Sequence, residues 1–191
     1  VSERPRVRLF AAVELPDAAR AAIEDTTQPL RTTLPGFRWV PAENLHLTLV
    51  FLGWVDPDQV DPIRAELDGA AAVAAPFRAR LGAAGRFPDR GKARIVWFGF
   101  MSGTAELEGL AGRIRLAVAH RVAEDRPFRP HVTVSRAREP LRIPAGALDV
   151  APLDVEIAVD TVALFRSHLG APHPRYEAIA RLRLRGGAGA G

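Results

Sequence analysis

"LHLTLVFLG", Leu45–Gly53, sets a histidine into a run of strand-forming apolar residues. Side chains in a strand alternate between faces, so His46 and Thr48 share one face while Leu45, Leu47 and Leu49 share the other. One face suits a core. "HVTV", His131–Val134, repeats the arrangement further along, with His131 and Thr133 set against Val132 and Val134. Two strands that each pair an apolar face with a His-x-Thr face imply a shared task outside the core.

Outward from these strands the chain alternates between period-two and helical patterns. "RVRLFAAVEL" before the first histidine strand reads as a strand, and "PDAARAAIEDTTQPL" after it as a helix. Beyond that strand, Asp56 is placed to cap a second helix through "QVDPIRAELDGAAAV". "FRARLGAAGRFP" and "ARIVWFGF" read as strands, and apolar residues recur at helical spacing between Ser102 and Val122. A loop, "EDRPFRP", leads into "HVTVSRAR", and two strands, "LDVEIAVDTVALFRS" and "RYEAIARLRLR", close the order. Strands joined partly by hairpin-length loops and mixed with three helices predict an α+β fold of mainly antiparallel sheet. The similar order of elements in the two halves predicts two lobes of one domain over residues 1–185, with "GGAGAG", 186–191, as a flexible tail.

Composition narrows the chemistry. The 191 residues are 48% hydrophobic and 25% charged, as in ordinary globular proteins. There is no cysteine, which excludes disulfides, thiolate metal sites and cysteine nucleophiles. Neither histidine strand carries a second metal-ligating residue on its His-x-Thr face, so no metal and no cofactor is expected. The net charge is +4 and Lys92 is the single lysine, so the positive charge is almost all arginine, whose planar fork matches phosphate oxygens. A short N-terminal apolar run flanked by charges is not a secretory signal, and the apolar stretch from Leu45 to Val55 is too short to span a bilayer. A soluble, cytoplasmic monomer is expected.

Two imidazoles and two hydroxyls fit metal-free hydrolysis of a phosphodiester. One ring takes a proton from water, the other gives a proton to the leaving oxygen, and the hydroxyls with an arginine hold the phosphate. Spacing leaves open which ring is the acid. His120, His168 and His173 lack the threonine context and are assigned no chemistry, the first at a helix end and the others in a loop. Packing in the core, rather than stacking on a base, is expected for Phe10 and Trp39.

At this point the chain resembles the 2H phosphoesterase superfamily, and within it the RNA 2′,3′-cyclic phosphodiesterases also called 2′-5′ RNA ligases. The resemblance runs through "RLFAAVELP", "FRWVPAENLHLTLVFLG", "ARIVW", "RPFRPHVTVSR" and "LFRSHLGAPHPRYEAIARLRL". It implies two α+β lobes related by a pseudo-twofold, each giving one histidine strand to a central cleft. It implies His46 as proton donor to the leaving 3′ oxygen and His131 as proton acceptor from water, with an RNA 2′-phosphomonoester as product. Thr48, Thr133 and Arg136 would bind the phosphate. Tyr176 matches an aromatic of the family that lines the cleft or packs beside it, although Pro172 and Pro174 alter the turn before it. The partner implied is RNA with a 2′,3′-cyclic phosphate end, and reverse joining of 2′-5′ ends is an implied side activity. Two alternatives stand beside this reading: a cyclic phosphodiesterase of small nucleotides or ADP-ribose cyclic phosphate, and a non-catalytic RNA-binding module.

Overall fold

The computed structural model describes residues 5–122, 127–170 and 173–186. Among the described residues nine strands and three α-helices follow in the order β1 (Val7–Glu14), α1 (Asp17–Thr33), β2 (Arg38–Trp39), β3 (His46–Val55), α2 (Val60–Ala72), β4 (Phe77–Phe87), β5 (Ala93–Ser102), α3 (Thr104–Ala117), β6 (Val132–Leu141), β7 (Glu156–Val159), β8 (Thr161–His168) and β9 (Arg175–Arg183). One sheet has the order β3-β1-β8-β9 and the other β2-β6-β5-β4-β7, and each described pairing is antiparallel. The fold is α+β, as the sequence predicts.

A pseudo-twofold is visible in the strand orders. Without the short edge strand β2, the second sheet reads β6-β5-β4-β7, and β6 matches β3 while β5 matches β1. The units β1-α1-β3 and β5-α3-β6 each end in a His-x-Thr strand. The lobes are not sequence halves, however, because β8 and β9 return from the C-terminal part of the chain to complete the first sheet. The expected single strand 153–167 is in fact two. It breaks at Asp160, with β7 completing the second sheet and β8 joining the first.

Each helix buries one stripe: Ala19, Ile23, Thr27 and Leu30 on α1, Ile63, Leu67 and Ala71 on α2, and on α3 Leu107, Leu110, Ala111 and Ile114, the stripe that the periodicity predicts. They pack with Val7, Leu9, Leu47, Leu49, Val132 and Val134 into one core shared by both sheets. β1 is apolar on both faces, so a second, smaller cluster forms on its other side from Phe10, Ala12, Ala163 and Phe165. Local differences from the sequence reading have simple causes. Asp56 does not cap through its side chain, because its carboxylate pairs with Arg6 Nε at 3.0 Å. His168 ends β8 rather than lying in a loop, held to Glu177 at 2.7 Å. The tail predicted at 186–191 lies outside the described residues except for Gly186, whose amide donates to the Ala74 carbonyl at 2.9 Å. Residues 124–126 of the predicted loop also lie outside them. No helix among the described residues is long and apolar enough to cross a membrane.

Candidate active site

Each histidine strand departs from simple alternation at the same place. Against β1, Thr48 pairs with Ala12 and Val50 with Ala11, which leaves Leu49 as the extra residue of a bulge. Against β5, Thr133 pairs with Trp97 and Ser135 with Val96, which leaves Val134 extra. Both bulges fall three residues past the histidine. They carry Val50 and Ser135 into the interior and turn Phe51 and Arg136 onto the faces of His46 and His131. Phe51 therefore stands in the first lobe where Arg136 stands in the second.

These residues meet in a cleft of about 680 Å³. His46, Thr48 and Phe51 line one side, His131, Thr133 and Arg136 the other, and Tyr176 closes on it from β9. The structure thus brings together all six candidate residues read from the sequence and adds Phe51. Among the described residues no three His, Cys, Asp or Glu side chains gather as a metal site.

The two rings are fixed by one local device used twice. His46 Nδ1–H donates to the Asn44 carbonyl at 2.7 Å, and His131 Nδ1–H donates to the Arg129 carbonyl at 2.7 Å. A donor at Nδ1 fixes the neutral tautomer and leaves Nε2 as the bare nitrogen. On His46 that nitrogen accepts from the Thr48 hydroxyl at 2.9 Å.

Aromatic rings hold each imidazole from the side. Phe10 lies 4.8 Å from His46 between centroids, and Tyr176 meets it edge-on at 5.4 Å. Phe10 is thus buried, as expected, but under the site rather than in the main core. Trp39 packs against the main core with Arg31 over its ring at 6.0 Å. Around His131 the partners are Phe87 at 5.0 Å, perpendicular, and Trp97 at 6.3 Å. Arg129 lies over Trp97 at 4.6 Å while pairing with Asp89 at 3.0 Å.

Burial shapes the electrostatics. His46 is pushed down to about 4, first by desolvation and then by the Arg136 and His131 charges, against the Asn44 hydrogen bond that raises it. His131 is lowered for the same leading reason, with Arg136 and Arg129 adding to it. Arg136 is itself lowered by desolvation, although it keeps contact with solvent at the cleft, and Tyr176 is raised by burial. Both shifts favour the neutral ring at neutral pH.

Sequence reading missed Asn44. Its carbonyl orients His46, and its buried amide Nδ2 donates to the Pro174 carbonyl at 2.8 Å, which fixes the segment leading into Tyr176. Its place two residues before a strand histidine was the available signal. Of the remaining histidines, His120 lies 3.6 Å from Glu66, away from the cleft lining, and His173 lines a groove beside it.

Known proteins resemble this chain over nearly its whole length. An RNA 2′,3′-cyclic phosphodiesterase of Thermus thermophilus is 36% identical, covering 94% of this chain and 91% of its own. The crystal structure of TT0787 from the same species superposes with a TM-score of 0.81 at 33% identity, over 94% of this chain and 99% of the other. Escherichia coli LigT in complex with 3′-AMP superposes at 0.73 with 29% identity, over 94% and 98%. Residues 15–171 match the model of one family, and with it the chain belongs to the 2′-5′ RNA ligase superfamily.

Proposed function

We propose that the protein hydrolyses RNA 2′,3′-cyclic phosphate ends to 2′-phosphomonoesters by acid–base catalysis from His46 and His131, without a metal. The observation that carries this reading is the pair of rings lining one cleft, each anchored through Nδ1, with Nε2 left as the working nitrogen and, on His46, held by the Thr48 hydroxyl. His131, the more open ring, accepts a proton from water as the water oxygen attacks phosphorus. The P–O3′ bond breaks, and the 3′ oxygen takes a proton from His46 Nε2. The strong downward pull on His46 supports its role as donor, because a weakly basic imidazole is a strong acid once protonated.

The proton on His46 arrives with the substrate. A phosphodiester anion beside Arg136 replaces repulsion by attraction and raises the imidazole pKa. Protonation also ends the Thr48-to-His46 hydrogen bond: Nε2–H then donates to the leaving 3′ oxygen, and the Thr48 hydroxyl turns its hydrogen to a phosphate oxygen. Thr133 and Arg136 complete the phosphate grip, and the exposed ring of Phe51 offers a stacking surface for a base. Tyr176 holds the His46 ring in place. Relatives carrying the phosphodiesterase name, and LigT holding 3′-AMP, support a substrate of this kind.

The reading keeps the monomeric, cytoplasmic setting expected from the sequence. The same groups run in reverse would join a 2′-phosphorylated or cyclic end to a hydroxyl, the side activity of a 2′-5′ ligase. The test is product analysis of an oligonucleotide bearing a 2′,3′-cyclic phosphate. The expected product is the 2′-monoester, formed equally with and without EDTA. A 3′-monoester, or loss of activity in EDTA, would overturn the reading.

A further inference from the structure

Arg136 belongs to two cavities. Beyond the catalytic cleft, a groove of about 360 Å³ shares Arg136, Asn44 and Tyr176 with it and is lined further by Arg38, Arg138 and His173. Arg38 on the edge strand β2 stands directly across from Arg136 on β6, and Arg138 follows Arg136 two residues along the same strand. Directly opposed and alternate residues share a sheet face, so three guanidinium groups crowd one face of this sheet edge. All three are exposed, and among the described residues no acidic side chain pairs with any of them.

Like charges opposed across a strand pair are destabilising. Such a cluster makes physical sense as a seat for an anion, and its continuity with the cleft sets which anion. An RNA that ends in a cyclic phosphate extends in one direction only, through the 5′ side of its terminal nucleotide. We propose that the Arg38–Arg138 groove binds the phosphodiester backbone of the nucleotides upstream of the cyclic end. The groove thereby makes the protein an enzyme of RNA chains in preference to mononucleotides. This rests on the phosphodiesterase reading of the cleft, and it gives that reading a substrate class.

Two measurements test it in the full-length protein. The first is binding of a single-stranded RNA with a plain 3′-hydroxyl end, read by fluorescence anisotropy, which needs no turnover. Arg38→Ala/Arg138→Ala is expected to weaken binding about tenfold or more and to flatten the salt dependence by roughly 1.4 in log–log slope, as loss of two phosphate contacts to a single strand would do. Arg38→Lys/Arg138→Lys should keep most of the affinity. Arg113→Ala/Arg183→Ala, which removes the same charge elsewhere, should leave it unchanged. The second measurement compares turnover of a cyclic-phosphate oligonucleotide with that of a mononucleotide 2′,3′-cyclic phosphate. The alanine pair should raise KM for the oligonucleotide and leave the mononucleotide within about twofold. Unchanged RNA binding in the alanine pair, or an equal loss in the Arg113/Arg183 control, would overturn the groove assignment. So would an equal loss of turnover on both substrates. Failure of the wild-type protein to hydrolyse either substrate would instead count against the reading of the cleft, while the binding measurement would still decide the groove.

Discussion

Leu49 and Val134 occupy equivalent positions, each the extra residue of a bulge three places beyond a cleft-lining histidine. Through them the two lobes present Phe51 and Arg136 from matching sites on opposite sides of one cleft. The pseudo-twofold therefore sets equivalent backbones around the cleft while the side chains diverge, with a cation on one side and an aromatic ring on the other.

Phe51→Ala should raise KM for a cyclic-phosphate substrate about tenfold with little change in kcat, the loss of one base–aromatic contact worth ~1–3 kcal/mol. Phe51→Tyr should behave as wild type. Steady-state kinetics on a mononucleotide substrate reads this directly, and a fall in kcat at constant KM would point to a role in positioning His46 instead.

Asn44→Ala keeps the backbone carbonyl that anchors His46 but strands the Pro174 carbonyl and frees the segment that carries Tyr176. The expected cost is ~1–3 kcal/mol of stability, typical of a buried polar group left without its partner. Urea unfolding measures it. Activity should fall through kcat, because Tyr176 no longer packs edge-on against the His46 ring.

Gly85 faces Trp97, and a Cβ there would clash with the six-membered ring of the indole. Gly85→Ala must displace that ring, which supports both Arg129 and His131. A lower kcat with a changed near-ultraviolet circular dichroism signal is expected, and wild-type kinetics would show that the indole contributes nothing to holding His131.

Acid should destabilise the protein through His46. Its folded-state value of about 4 lies below the ~6.5 of an unfolded histidine, so the unfolded chain binds the proton first as pH falls. Stability contributed by the neutral ring is complete above pH ~6.5 and is lost progressively down to about 4, by an amount on the order of 3 kcal/mol. His131 adds to the same slope. Urea midpoints at pH 7 and pH 5 should therefore differ less in His46→Gln than in wild type, and equal differences would show that His46 titrates normally.

The alternation of "HLTL" and "HVTV" places both histidines and both threonines correctly, because a strand face is set by its nearest neighbours. Arg136 lies beyond a bulge. Strict alternation from His131 assigns Ser135 to the cleft face and Arg136 to the core, and only the resemblance to a family put Arg136 beside the phosphate. Phe51 went unnoticed for the same reason. The break at Asp160 shows as a change of pattern, from alternate buried residues at Ile157 and Val159 to four in succession from Val162 to Phe165. Read as one strand, that stretch conceals the exchange of sheets. Phe87 and Trp97 support His131 across long sequence separations, and no local pattern announces such a contact.

The central claim is a division of labour between two imidazoles on one phosphorus atom. The most direct measurement is the turnover of a 2′,3′-cyclic phosphate oligonucleotide by His46→Ala and by His131→Ala, each verified as folded by circular dichroism. The account predicts that each single variant loses about 10²–10⁴-fold in kcat, the usual contribution of a positioned acid or base. Near wild-type turnover by either variant would contradict it.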